Sequence, residues 1–308
     1  RNPLDIWWSE TVLGIPSEGV DAYLTIDRTL QDAGSSRMAG RAGAIVVLRA
    51  HSGEILALVS LPTYDPGTLE KNWDRILSQP LSPLLNRATQ GLYSPGQMLY
   101  PFLAAEALGR HWLGEDSDLC QVPYSGWILA HPDYPNQVLS MFRFNEDPVM
   151  DLPTVYISSL AFPSDPGGVL RELEGRGTIL VSPIQLATAL ASIADGGTAP
   201  APRLISRLNA PSGWITPVAP GRPVAMVPAD TAAQLRKMLP QAFATGGRTA
   251  VEWSGCGRKA GPNPVVSWYA GLQTAADDPI VVVVALEGSP SNAEDIGRLV
   301  LAQAMASG

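Results

Sequence analysis

The sequence predicts an α+β domain of three layers, α/β/α, with an antiparallel sheet of about five strands lying between helices. Three observations carry this: a β-rich hairpin near the chain's start, a strand pair followed directly by a helix at its end, and three sharply delimited helices between them. Residues 43–50 (GAIVVLRA) and 54–60 (EILALVS) are apolar and partly β-branched, and His51-Ser52-Gly53 between them suits a hairpin. Ahead of them, Tyr23-Leu24-Thr25-Ile26-Asp27 alternates like a short strand and residues 28–38 read as a helix. The domain is therefore taken as residues 21–308, after a tail of residues 1–20 in which Trp7-Trp8 is the conspicuous apolar pair. At the far end, residues 265–273 and 279–287 pair around Asp277-Asp278. Residues 291–306 then form a helix with Ile296, Leu299, Val300 and Ala304 on one face.

The middle helices have recognisable ends. Residues 97–108 follow Ser94-Pro95-Gly96 and stop at Gly109, and residues 230–243 stop before Gly246-Gly247. The third opens with Ser182 as a hydroxyl cap, Pro183 in the first turn and Gln185 three residues after the cap, and ends at Asp195-Gly196-Gly197. Residues 110–180 carry many prolines and little periodicity, which predicts short helices and long loops. Residues 200–228 read as an edge hairpin between proline-rich turns. The expected layering sets the terminal helix on one face of the sheet and the helices at 97–108 and 182–195 on the other.

Composition narrows the function classes. The chain has 308 residues, 45% of them hydrophobic, enough for a substantial core. A formal net charge of -8, with its lysines scattered at Lys71, Lys237 and Lys259, argues against nucleic acid as a partner. The densest apolar run, residues 280–286, has the length of a strand and not of a membrane span, so any membrane attachment would come from an anchor outside this chain. His51, His111 and His131 show no zinc spacing with each other or with Cys120 and Cys256, so neither a metal nor another cofactor is expected. The two cysteines permit one disulfide or two free thiols.

The most informative segment is Ser94-Pro95-Gly96-Gln97-Met98-Leu99-Tyr100-Pro101. It resembles the P-G-S-x-x-K-P frame of class B penicillin-binding proteins, the monofunctional cross-linking transpeptidases of peptidoglycan synthesis. Gln97 stands where the nucleophilic serine is expected, and Tyr100 where the lysine is. Other landmarks occur in the same order: residues 43–60, Tyr64-Asp65-Pro66, Leu85-Asn86-Arg87-Ala88, Gln90-Gly91-Leu92-Tyr93, residues 177–197 and Trp268-Tyr269-Ala270-Gly271. The resemblance implies the penicillin-binding-protein fold, with its helical lobe reduced because no S-x-N pair follows Gly109. It implies an extracytoplasmic protein tethered to the membrane by residues beyond this sequence, with cell-wall synthesis or division proteins as partners and, where the groove is open, peptidoglycan stem peptide as a ligand.

The same resemblance predicts loss of the chemistry. A carboxamide cannot form the acyl ester through which the family's reaction passes, and a tyrosine at 100 has no hydroxyl at 97 to activate. Tyr100 is expected to pack and make a hydrogen bond. For the third motif, K-[ST]-G, two placements stand open: Gly255-Cys256-Gly257-Arg258, or Lys259-Ala260-Gly261, the latter preferred. A residual groove would then be lined by Gln97, Tyr100, Lys259, Ala260 and Gly261. The rival expectation is an active D-Ala-D-Ala-type acyl transferase or hydrolase with a relocated nucleophile. That nucleophile would be Ser94, three residues before the helix, or Cys256, whose thiol Arg258 and Lys259 could activate.

Overall fold

The computed structural model describes residues 20–210, 213–245, 248–256, 266–274, 276–288 and 293–307. Trp7-Trp8 lies outside this set. Both chain ends contribute to one sheet, as expected. β2 (Gly43–Arg49) and β3 (Ile55–Leu61) come from the start, and β8 (Gln241–Thr245), β9 (Arg248–Trp253), β10 (Val266–Thr274) and β11 (Ile280–Glu287) from the end. The order is β3-β2-β11-β10-β9-β8, every neighbouring pair antiparallel, with Val46 opposite Val283 and Ala270 opposite Trp253.

Both faces of the sheet are covered, which explains why β11 reads as a continuous apolar run instead of alternating with polar residues. Ala44, Val46 and Leu48 of β2, with Val281, Val283 and Ala285 of β11, share a core with α3 (Tyr100–Gly109) and α7 (Pro183–Ala194). Ile45, Val47, Ile280, Val282, Val284 and Leu286 face the opposite layer, α1 (Arg28–Arg37) and α9 (Ala293–Ser307). Single-residue alternation along each strand thus feeds two cores at once.

Side-chain hydrogen bonds fix several of these elements. Ser182 and Gln185 close a capping box at the start of α7, and the Gln185 carboxamide also donates to the Phe144 and Glu146 carbonyls. Asp27 caps α1 by accepting from the Thr29 and Leu30 amides. Gln31, one turn on, meets the backbone of Leu58 at the outer strand β3: its Nε2 donates to the carbonyl at 3.0 Å and its Oε1 accepts from the amide at 2.8 Å. A carboxamide here occupies part of the strand's outer edge, beside Leu56, whose carbonyl accepts from the Asp27 amide.

Among the described residues the main sheet has six strands, one more than expected, and the difference lies in residues 230–253. The helix predicted to reach Phe243 is α8 (Ala229–Met238), which ends as Leu239 turns extended ahead of Pro240. A residue before proline is pushed out of the helical region, so Pro240 was the stop signal and Phe243 belongs to β8. The predicted helix at 97–108 is a 3-10 turn, Gly96–Leu99, running into α3. Residues 110–180 hold α4 (Tyr124–Ala130), α5 (Asp133–Met141) and α6 (Pro166–Leu173), short helices in long loops.

Among the described residues, a small second unit is built from residues 20–25 together with 205–210 and 213–218. Its sheet runs β1 (Ala22–Leu24), β5 (Ile205–Ala210), β6 (Gly213–Ile215), so the strand expected to open the main domain lies in this unit instead. Tyr23 and Trp214 meet edge to face at 4.8 Å, with the Arg207 guanidinium over the Tyr23 ring.

Candidate functional site

The segment leading into the 3-10 turn is held from several sides. Tyr93 and Val181 exchange both backbone hydrogen bonds, the Ile184 amide donates to the Ala88 carbonyl, and the Trp268 indole donates to the Ser94 carbonyl at 3.0 Å. Gly96 takes a left-handed φ of 53° and lies so close to Gly175 that a Cβ would come within 2.8 Å of its amide nitrogen. The loop at Gly175 is itself organised by buried Glu172, whose carboxylate accepts from the Thr178 and Ile179 amides and the Thr178 hydroxyl. A glycine at 96 is therefore a packing requirement.

Gln97 is fastened by both ends. Its backbone carbonyl accepts from the Trp253 indole at 2.9 Å, and its Oε1 accepts from the Cys256 amide at 2.8 Å. Between those donors sits Gly255, with φ of 94° and a Cβ position only 2.7 Å from Oε1. A side chain at 255 would be strained and would push the carboxamide off the Cys256 amide.

Tyr100 lies one turn further on, on the same side of the turn. Its ring packs on Tyr124 at 4.5 Å and faces Trp253 at 6.3 Å, while the Tyr124 hydroxyl donates to the Tyr100 carbonyl. Burial pushes the Tyr124 phenol well above its ordinary value, so it stands as a neutral donor. The packing expected of Tyr100 is present. Three rings from α3, α4 and the end of β9 fill the space beside Gln97.

Cys120 and Cys256 are joined in a disulfide, with Cα atoms 5.4 Å apart. This corrects the expectation of Cys256 as a nucleophile: its sulfur is covalently bound, and while the bond is intact no thiolate is available for attack. Ser94 also has no activating partner, since its Oγ is buried without a hydrogen bond. Lys259, Ala260 and Gly261 lie outside the described residues.

The residues brought against Gln97 from the sheet are Trp253, Gly255 and Cys256. Trp253-Ser254-Gly255 is a further stretch with a hydroxyl residue before glycine, as in K-[ST]-G, with tryptophan in lysine's place. Ser254 donates to Glu294 on α9, which pairs with Arg298, and Arg298 in turn makes a two-pronged pair with the buried Glu252 carboxylate. From the helical lobe the approaching helix begins Tyr124-Ser125-Gly126, with the Tyr124 ring against Tyr100. A separate cleft of about 240 Å³, lined by Phe142, Val149, Pro200, Val224 and Met226 among others, includes neither Gln97 nor Tyr100.

The family model for the penicillin-binding protein transpeptidase domain matches residues 43–125 and 131–305. The chain belongs to the penicillin-binding protein transpeptidase domain family. Within that family it is 43% identical over 98 residues to the peptidoglycan D,D-transpeptidase MrdA of Escherichia coli, covering 30% of this chain and 16% of its relative. It is 29% identical over 265 residues to MrdA of Acinetobacter baumannii, covering 65% of this chain and 39% of that protein. The chain thus spans well under half the length of these relatives.

Solved structures of the transpeptidase fold superpose over almost all of it. Penicillin-binding protein PBPA of Mycobacterium tuberculosis aligns with a TM-score of 0.76 at 21% identity, covering 95% of this chain and 83% of that one. The D,D-transpeptidase domain of a peptidoglycan glycosyltransferase from Eggerthella lenta aligns at 0.74 and 21%, covering 98% and 87%. Among the described residues of this transpeptidase-family chain, no three metal-ligating side chains cluster and no helix is long and apolar enough to cross a membrane.

Proposed function

We propose that this chain is a non-catalytic transpeptidase-like domain that serves peptidoglycan synthesis as a scaffold or binding partner. The observation that carries this is the Gln97 carboxamide, whose oxygen takes the Cys256 amide at 2.8 Å at the helix opening where the family frame has its serine. An amide nitrogen is delocalised and a poor nucleophile, and the oxygen is already engaged as an acceptor. Acyl transfer needs an activated nucleophile beside a base; the Tyr124 hydroxyl is held as a neutral donor to the Tyr100 carbonyl, and the Trp253 indole is no base. What remains is a shaped surface, suited to proteins of cell-wall synthesis or division and, when open, to stem peptide.

The disulfide supports an extracytoplasmic location, since such bonds persist in oxidising compartments. Attachment to the membrane would come from residues beyond this chain. Among similar structures, the imipenem complex of Mycobacterium tuberculosis penicillin-binding protein A is an acyl-enzyme, which makes a β-lactam the informative probe. Incubation with a labelled penicillin followed by intact-mass measurement is expected to show unmodified protein. A stoichiometric adduct would overturn the proposal, and its mapped position, with Ser94 the first to inspect, would name the nucleophile.

A further inference from the structure

The disulfide occupies a particular place in this fold. Cys120 lies four residues before α4 on the helical side, and Cys256 three residues beyond the end of β9 on the sheet side. It therefore ties together two walls that lie 136 residues apart in sequence. The Cys256 amide of this bridge is bound to Gln97, and α4, which follows Cys120, brings Tyr124 onto Tyr100, itself facing Trp253. Both cysteines are only partly buried.

The dimensions decide what can pass. A peptide lying between two walls as an added strand needs about 4.8 Å to each neighbour, hence roughly 9–10 Å from wall to wall. The Cα atoms of Cys120 and Cys256 are 5.4 Å apart, and a covalent bond keeps them there. While the bond is intact, no chain can lie between them.

We propose that the Cys120–Cys256 disulfide is a redox latch that holds the groove shut over Gln97, and that a dithiol reductant opens it. One thiolate of the reductant attacks a sulfur of the bridge, forming a mixed disulfide and releasing the other cysteine. The reductant's second thiol then displaces the remaining cysteine and leaves as a cyclic disulfide. Two electrons and two protons pass from the dithiol to the bridge, giving two cysteine thiols. The ties then left across the groove are noncovalent: the Gln97 oxygen on the Cys256 amide, the Trp253 indole on the Gln97 carbonyl, and the ring contacts. Ligand access becomes conditional on the thiol balance of the compartment.

This rests on the binding role proposed above only for what enters the groove, and its test uses no ligand, so either idea can fail alone. Hydrogen exchange of the whole chain is compared with and without tris(2-carboxyethyl)phosphine, and in Cys120→Ser without reductant. Peptides covering residues 94–100, 119–124 and 253–256 are expected to exchange roughly 10-fold faster or more once the bond is cut, with β2, β10 and β11 unchanged. Identical exchange in both redox states would show that the bond latches nothing. Equal acceleration across β10 and β11 would show that it merely holds the fold together, and either result overturns the proposal.

Discussion

Above about pH 10 the fold is expected to lose stability steeply, by about 5 kcal/mol per pH unit once the unfolded chain's phenols ionise. Four tyrosines account for this. Tyr93, Tyr124, Tyr134 and Tyr269 are all buried, and burial is the first cause that raises each phenol above its ordinary value. For Tyr93 the hydrogen bond to Glu287 adds to the rise while Arg87 opposes it, and for Tyr269 the Glu252 charge adds to it.

The sign follows from proton counting. Below the unfolded phenol's value of about 10 both states hold the proton, and the contribution to stability is fully present and flat. Above it the unfolded chain releases protons that the fold retains, so rising pH pulls the equilibrium toward unfolding. One such group tilts stability by about 1.4 kcal/mol per unit, and a domain typically has about 5–15 kcal/mol to lose. Urea midpoints across an alkaline series should fall together with far-ultraviolet ellipticity, and of the eight tyrosines these four should add phenolate absorbance only as structure is lost. All eight phenols ionising in a fully folded protein would contradict the assignment.

Arg87→Met is expected to destabilise the protein by about 3 kcal/mol, the lower end for breaking a buried ion pair. The Arg87 side chain is 4% exposed and its Nε donates to Glu287 at 2.7 Å. The rest of the guanidinium satisfies the Leu81 and Ser82 carbonyls at 2.5 and 3.3 Å. Glu287, at the end of β11, also accepts from the Tyr93 hydroxyl at 2.7 Å. This one network therefore fastens the segment before Gln97 to the centre of the sheet. Methionine fills comparable volume but abandons two carbonyls and leaves the carboxylate with only the phenol and its solvent-facing side. Urea unfolding should show a lower midpoint at unchanged slope, and a shift below about 1 kcal/mol would mean that water takes over the guanidinium's bonds.

Much of the fold was legible because its strands and helices carry local signals. The run at residues 280–286 announces a strand covered on both faces, and Ser182, Pro183 and Gln185 mark the start of α7 as its capping box shows. The last two strands of the sheet were less legible. A helical pattern ran through Pro240 and masked β8, and β9, ending at Trp253, has no turn signal of its own ahead of it to separate it from β8 except Gly246-Gly247. The pairing of β1 with β5 joins segments about 180 residues apart, and no local pattern specifies such a partner.

The site divides in the same way. Gln97 and Tyr100 could be found from their frame of prolines and glycine, because that frame is contiguous. What surrounds them could not: Trp253 and Cys256 reach Gln97 from 156 and 159 positions away, and two cysteines alone leave their pairing undecided. Tyr124 filling the space beside Tyr100 is a property of packing, visible only once α4 is placed against α3.

The most direct test is turnover of a D-alanyl thioester by the purified chain under oxidising and reducing conditions, compared with Gln97→Ala. A rate equal to the uncatalysed background in every case is the predicted result. Turnover above background that a single substitution in this pocket abolishes would contradict it.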